Sequence, residues 1–438
     1  MIKRRNALKA LGGLGAAAGL ARLVPGCRSS DRVPTNQASN EGGAALEAPR
    51  DNRGGVRPFR IEIAQPVLDD LRARLALTRW PDEVEGAGWA YGANREYLQR
   101  LIAYWQRDYD WRAQETKLNA FPQFKARVDD IDLHFIHIVG EGPAPKPLLL
   151  THGWPDSFYR FVKLIPRLTD PAGFGGRAED AFTVVVPDIP GFGFSDRPIK
   201  PGIDTVSTAD MFARLMTEVL GYQRFLAHGG DFGASITEQL GLHHADLLPA
   251  IHLNNVPPQH AQKVRPQGLS PVEQTYLATV KAWGQQEGAF TALQNSKPQT
   301  LSYGLNDSPV GLLAWIIEKF HGWSDINGQL ESVFTKDELL TNVMIYWVTQ
   351  TAGSSARFYY EKAHRTDVTE QSYVTVPTGF ASFTKDIIPA PREFAARYFN
   401  VQRWVELSHG GHFAAFEVPD DLAGQLRTFF APYRQAAG

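Results

Sequence analysis

Residues 228–235 read His-Gly-Gly-Asp-Phe-Gly-Ala-Ser. Small residues spaced around one central side chain are the pattern of a nucleophile elbow, a sharp strand-to-helix turn that lifts that side chain clear; in the G-x-S-x-G form the centre is Ser. Here the centre is Asp231, between Gly229 and Gly233. The exchange changes the chemistry. A Ser alkoxide attacking an acyl carbon leaves an ester that water cleaves, but at an sp3 carbon it would leave an ether that water does not cleave. A carboxylate attacking an sp3 carbon, as in an epoxide or alkyl halide, leaves an ester instead. Asp231 therefore points to substitution at saturated carbon. The alternative is an Asp that merely caps the following helix, and it weakens as partners are found.

An ester-forming elbow needs a base further along the chain. Gly-Gly-His-Phe-Ala-Ala-Phe-Glu places His412 in a Gly-rich loop near the C-terminus, the chain order in which an elbow's histidine follows its nucleophile. The base needs an orienting acid. Asp386, in Ala-Ser-Phe-Thr-Lys-Asp-Ile-Ile-Pro, follows a predicted strand and is favoured; Asp367 and Glu361 are weaker candidates. His-Gly-Trp-Pro at 152–155 ends another strand. The backbone N–H of Trp154 could join that of Phe232 to hold the carbonyl oxygen of Asp231 as the ester turns tetrahedral. The loop Asp-Ile-Pro-Gly-Phe-Gly-Phe-Ser-Asp-Arg-Pro has glycines suited to tight turns beside this site.

The elements that must carry these groups alternate. Asp-Ile-Asp-Leu-His-Phe-Ile-His-Ile alternates polar and apolar; Pro-Leu-Leu-Leu-Thr, Ala-Phe-Thr-Val-Val-Val-Pro and Phe-Leu-Ala-His-Gly are short apolar strands ended by Gly or Pro. Helical patterns such as Ser-Thr-Ala-Asp-Met-Phe-Ala-Arg-Leu-Met lie between them. Strands alternating with helices imply an α/β fold, a mostly parallel sheet with helices on both faces. The section from Phe59 to about Trp111 is helical throughout. Its first helix carries Val67, Leu68, Leu71 and Leu75 on one stripe and ends before Pro81; a second spans Asn94–Trp111, Asn-Arg-Glu-Tyr-Leu-Gln-Arg-Leu-Ile-Ala-Tyr-Trp-Gln-Arg-Asp-Tyr-Asp-Trp. Residues 256–370 carry Trp, Tyr and Phe at helical spacing and suggest an inserted helical cap over an apolar aryl or alkyl ligand. The expected divisions are 1–27, 28–55, 56–120, 121–255, 256–370 and 371–438: a leader, a flexible linker, a helical N-terminal domain, the first part of the core, the cap and the second part of the core.

Composition excludes several classes. The chain of 438 residues has a net charge of −2 and no long Lys/Arg run after the leader, which argues against a nucleic-acid partner. Its one cysteine, Cys27, rules out an internal disulfide and a zinc–thiolate cluster. The histidine pairs His243-His244 and His134 with His137 lack the spacing of a metal motif and are expected to be structural. No metal or cofactor is expected. The N-terminus has a basic head with Arg4-Arg5 and Leu8-Lys9 before a mildly apolar stretch. It resembles a twin-arginine export signal, which implies a periplasmic or other extracytoplasmic protein. Val24-Pro25-Gly26-Cys27 resembles a lipoprotein cleavage box with an unusual Pro, and would attach the chain to a membrane by a lipid on Cys27.

Taken together, His-Gly-Trp-Pro, Asp-Ile-Pro-Gly-Phe-Gly-Phe-Ser, Gly-Gly-Asp-Phe-Gly, the stretch Leu305–Phe320, Ser-Ser-Ala-Arg-Phe-Tyr-Tyr-Glu, Val-Pro-Thr-Gly-Phe and Gly-Gly-His-Phe-Ala-Ala-Phe-Glu resemble the microsomal-type epoxide hydrolases of the α/β-hydrolase superfamily. The resemblance runs from about Pro58 to the C-terminus, and the section from Phe59 is similar to that family's N-terminal domain, which wraps the core. It implies an α/β-hydrolase core with an inserted helical cap, no cofactor, and an apolar epoxide and water as substrates of a vicinal diol-forming reaction. It further implies Asp231 as nucleophile, His412 with Asp386 as the water-activating pair (Glu is common at the latter place), and two cap tyrosines that protonate the departing oxygen. Tyr359 stands at one tyrosine position. Phe290, in Glu-Gly-Ala-Phe-Thr, stands at the other, and a Phe fills the space but donates no proton. Such a donor contributes about 10²–10⁴ in rate. Three outcomes are open: one phenol suffices, Tyr303 substitutes, or the substrate is not an epoxide. Trp154, Phe232, Phe290 and Tyr303 are the expected substrate-binding residues. A haloalkane dehalogenase is the rival enzyme, but that family resembles a site with Trp after the nucleophile where Phe232 stands here, and it lacks the Pro58–Trp111 section. An exported binding protein of this fold is disfavoured because nucleophile, base, acid and His-Gly-Trp-Pro are all present.

Overall fold

In the computed structural model the described residues are 55–264, 267–366 and 373–436. Arg4-Arg5, Cys27, the linker through residue 54 and Asp367 lie outside them. A nine-stranded sheet organises the chain: β1 (Arg57–Phe59), β2 (Gln123–Val128), β3 (Ile131–Ile138), β4 (Lys146–Thr151), β5 (Phe182–Pro187), β6 (Leu226–Gly229), β7 (Ile251–Leu253), β8 (Val374–Phe383) and β9 (Phe399–Leu407). The strand order is β1-β2-β3-β5-β4-β6-β7-β8-β9. From β5 to β9 every pairing is parallel, and β1, β2 and β3 add an antiparallel margin. This is the mostly parallel sheet that the alternation of elements implied. Every residue of β5, Phe-Thr-Val-Val-Val-Pro, is buried, as a strand covered on both faces requires.

The antiparallel margin is where sequence and structure part. β2 reads Gln-Phe-Lys-Ala-Arg-Val, and its polar members mask the strand; it turns into β3 through Asp129-Asp130, with Asp129 at φ 52°. Asp tolerates the left-handed region that such a two-residue turn demands. The N-terminal section opens on β1 rather than on a helix. Three helices follow, α1 (Gln65–Ala76), α2 (Arg95–Arg107) and α3 (Trp111–Leu118). α1 buries Leu68, Leu71 and Leu75, whereas Val67 is turned outward, one residue too early for the stripe. Asn94 caps α2 by accepting the Tyr97 N–H at 2.7 Å. Asp110 caps α3 in the same way; the helix expected to run to Trp111 stops at Arg107, and α3 extends past the expected stretch.

Helices α4 (Leu164–Thr169) and α6 (Phe232–His243) pack on the sheet, and α5 (Thr205–Arg214) packs against α6. Between β7 and β8 the chain leaves the sheet for α7 (Gln259–Lys263), α8 (Pro271–Gln286), α9 (Ala289–Ser296), α10 (Pro298–Asp307), α11 (Pro309–Trp323), α12 (Lys336–Thr349) and α13 (Ala352–His364). These helices hold much of the aromatic content and form a cap. The N-terminal section is bound to the cap as well as to the sheet. Tyr104 donates its hydroxyl to Asp337 at 2.8 Å, and Gln114 donates to the same carboxylate at 3.0 Å. Tyr109 and Thr341 share a hydroxyl bond of 3.0 Å, and Trp89 stacks on His321 at 3.9 Å. Arg74 reaches Asp307 at 2.7 Å.

Parallel strands put their carboxyl ends on one side of the sheet, and ligands of open α/β sheets bind there. The turns after β4, β6, β8 and β9 carry His-Gly-Trp-Pro, Asp231, Asp386 and His412 respectively.

Candidate active site

The elbow is tight enough that its glycines are obligatory. A Cβ on Gly229 would lie 2.1 Å from the carbonyl oxygen of Gly233, and one on Gly233 would lie 1.9 Å from that of Thr151. Asp231 itself sits at φ 58°, ψ −125°. A side-chain-bearing residue held there costs about 1–3 kcal/mol and persists only where its surroundings impose it. Part of that imposition comes from Asn255, at the end of β7, whose Oδ1 accepts the Asp231 N–H at 2.8 Å. Nothing in the sequence singled out Asn255; only the adjacency of β6 and β7 gives it meaning.

The carboxylate has two distinct oxygens. Oδ1 accepts the Trp154 N–H at 2.9 Å and the Phe232 N–H at 2.6 Å. Oδ2 faces Nε2 of His412 at 3.3 Å, an ion-pair distance without hydrogen-bond alignment. On the far side of the ring, His412 Nδ1 bonds Asp386 Oδ1 at 2.8 Å. The His412 N–H donates to the Trp323 carbonyl at 2.8 Å, which anchors the loop to the end of α11. The structure thus brings Asp231, His412, Asp386, Trp154 and Phe232 together. Glu361 is elsewhere: it lies on α13 and accepts the Gly202 N–H.

Burial works against both charges of the central pair, yet their neighbours prevail. His412 and Arg160, with the Trp154 amide, hold the Asp231 carboxyl down to about 2. Asp386 and Asp231 hold a proton on His412 up to about 9. Across the neutral range the resting pair is a carboxylate facing an imidazolium.

Aromatic rings enclose the carboxylate. Tyr359, on α13, is buried edge-on against Phe232 at 4.6 Å and Trp154 at 5.7 Å. Burial and the charge of Asp231 push its phenol well above the ordinary tyrosine range, so it stays protonated. Phe290 stacks on Trp154 at 5.4 Å and lies 6.2 Å from the Tyr359 ring. Trp323 closes the ring, 5.3 Å from Phe290 and 5.2 Å from His412. Trp323 was missed because it ends an ordinary amphipathic helix. Tyr303 is a correction. The buried stripe of α10 is Pro298, Ser302 and Leu305, which turns position 303 to solvent; the side chain is 74% exposed and does not belong to the site.

Elsewhere, His134 is buried between Asp188 at 2.8 Å and Gln123 at 2.9 Å, a structural histidine that ties β3 to the Gly-rich loop after β5. Among the described residues no cluster of three or more His, Cys, Asp or Glu is arranged to hold a metal ion. No helix among them is long and apolar enough to cross a membrane.

Known proteins resemble this chain in sequence and in fold. Residues 56–161 match the family described as epoxide hydrolase N terminus, and residues 146–419 match the α/β hydrolase fold. A protein of Stigmatella aurantiaca is 42% identical over 87% of this chain and 86% of its own length. Epoxide hydrolase 1 of Sus scrofa is 37% identical over 87% of this chain and 89% of its own. The crystal structure of juvenile hormone epoxide hydrolase from the silkworm Bombyx mori is similar with a TM-score of 0.76 and 29% identity, covering 87% of this chain and 95% of that one.

Proposed function

The chain belongs to the epoxide hydrolases of the α/β-hydrolase fold, and we propose that it opens an apolar epoxide through an alkyl ester on Asp231, then frees the vicinal diol with water activated by His412 and Asp386. The observation that carries this reading is the division of labour between the two oxygens of Asp231, one held by two amides and the other facing His412.

Oδ2 is the attacking atom. It bonds to an epoxide carbon, the carbon–oxygen bond of the ring breaks, and Tyr359 supplies the proton to the departing oxygen. Oδ1 becomes the ester carbonyl, already seated on the Trp154 and Phe232 amides. Water then adds to the ester carbon, and negative charge develops on Oδ1, where those donors are preorganised to receive it. The diol leaves with the original Oδ2, and the carboxylate regains an oxygen from water. Alkylation also prepares the base. One of the two carboxylates that keep His412 protonated is neutralised by the ester, so the imidazolium returns its proton to the Tyr359 phenolate and then, as a base, takes one proton from the attacking water, whose second proton completes the second hydroxyl of the diol.

The test is a single turnover in heavy-oxygen water. The diol from the first turnover is expected to carry only unlabelled oxygen, with label appearing in Asp231. Label in that first diol would mean that water attacks the substrate itself.

One prediction concerns Phe290, the ring between Trp154 and Trp323. Phe290→Tyr adds a hydroxyl to a ring already against Tyr359, and a second donor to the epoxide oxygen should speed alkylation on the order of tenfold. Stopped-flow alkylation with a simple epoxide and a melting curve decide the matter. A lower melting temperature with no gain in rate would show that the ring edge faces protein, where an unpaired buried hydroxyl costs about 1–3 kcal/mol.

A further inference from the structure

A buried cation lies beneath the elbow, and beyond the support its charge lends to the ionised Asp231 the ester cycle above gives it no part in the hydrolytic half. Arg160 stands in the short turn Phe158–Phe161 after β4 and is 3% exposed. Its Nε donates to Asp156. Its Nη1 donates to the main-chain oxygen of His412 at 3.3 Å and lies 3.1 Å from where a Cβ on Gly230 would stand. Asp156 in turn accepts the Gly153 N–H at 3.1 Å. One ion pair therefore touches the loop of Gly153 and Trp154, the residue before the nucleophile, and the backbone of the histidine. Nη2 is buried and has no hydrogen-bond partner among the described residues.

For stability this is a poor arrangement. Replacing a buried ion pair by apolar residues of similar volume is often neutral or stabilising, and a buried charged donor left unmet adds a further penalty. What the arrangement secures is the relative placement of three loops.

We propose that Arg160 is a positioning residue for ester hydrolysis, which with Asp156 locks the His412 loop to the elbow so that Nε2 stays over the alkylated carboxylate. The proposal rests on the ester cycle. Before alkylation His412 has a second restraint, the attraction between its imidazolium and Asp231 at 3.3 Å. Esterification removes that attraction. From then on the ring is aimed by Asp386 on its Nδ1 and by the Trp323 and Arg160 bonds on its backbone. Loss of Arg160 should therefore be felt in the second half of the cycle more than in the first.

The test compares Arg160→Lys, which keeps the charge but cannot span Asp156 and His412, with the double variant Asp156→Asn/Arg160→Met, which removes the ion pair without stranding a buried carboxylate. The carboxamide oxygen introduced by Asp156→Asn can still accept the Gly153 N–H. Rapid-quench mass spectrometry with a simple epoxide gives the rates of ester formation and ester loss separately. A small misplacement of a reacting group can cost about 10²-fold; ester loss is expected to slow about tenfold or more in both variants, and ester formation by less than about threefold. Equal slowing of both steps would assign Arg160 a purely structural role, and ester loss at the wild-type rate in either variant would overturn the proposal outright. If the double variant does not fold, Arg160→Lys alone decides between these results. Failure of wild-type protein to form any ester would instead overturn the ester cycle itself.

Discussion

His412→Gln protein mixed with excess epoxide is expected to stop as the alkyl-enzyme, with a mass increased by one substrate. Gln fills most of the space of the imidazole but cannot take a proton from water. General-base catalysis of this kind contributes about 10²–10⁴ in rate, so ester loss should slow by that order. Ester formation should suffer less. It requires Asp231 to be ionised, and burial, which opposes ionisation, is still countered by Arg160 and by the amide of Trp154. Two findings together would refute the assignment: no ester in His412→Gln, and undiminished turnover in Asp386→Asn. Asp386 is bonded to Nδ1 at 2.8 Å, and its loss should leave the ring free to turn.

Tyr359→Phe is expected to lose almost all ester formation, again by about 10²–10⁴. Tyr303 faces solvent, and Phe290 is a hydrocarbon ring, so within the aromatic enclosure Tyr359 is the phenol placed to protonate the opening epoxide. Removing one oxygen leaves the edge-on packing on Phe232 and Trp154 in place, and the melting temperature should hold within a few degrees. Burst-phase mass spectrometry reads the chemistry and calorimetry reads the fold. Ester formation within about threefold of wild type would move the proton donor to another group or to solvent. The double variant Tyr359→Phe/Phe290→Tyr should recover part of the loss if the two ring edges face the same oxygen.

Much of the site was legible because its chemistry leaves marks in the local sequence. Gly229 and Gly233 are glycines because a Cβ at either would collide with backbone, and such spacing is visible in one line of text. His412 and Asp386 follow strands or glycines and could be placed by chain order. The parts that escaped notice depend on adjacency across the sheet or between layers. Asn255 matters only because β7 lies beside β6, and Arg160 only because the turn after β4 runs under the loop after β9. β2 was hidden by its polar side chains, for a strand that carries Gln, Lys and Arg shows no apolar run even where it is half buried. Tyr303 was misplaced by the reverse error: a tyrosine near the right stretch of the cap drew attention, while the helical phase that sets its direction depends on a neighbour helix.

The bonds between the N-terminal helices and the cap bear on how such enzymes can be recombined. Asp337 takes its two hydrogen bonds from Tyr104 and Gln114, and Asp307 takes Arg74. A chimera that imports a foreign cap between β7 and β8 would sever these pairs and leave their donors facing whatever side chains the donor enzyme supplies. The exchangeable module is therefore discontinuous in sequence. The cap travels with the helices that precede β2, and a library built by swapping the inserted segment alone would sample mismatched halves of a single interlocked piece.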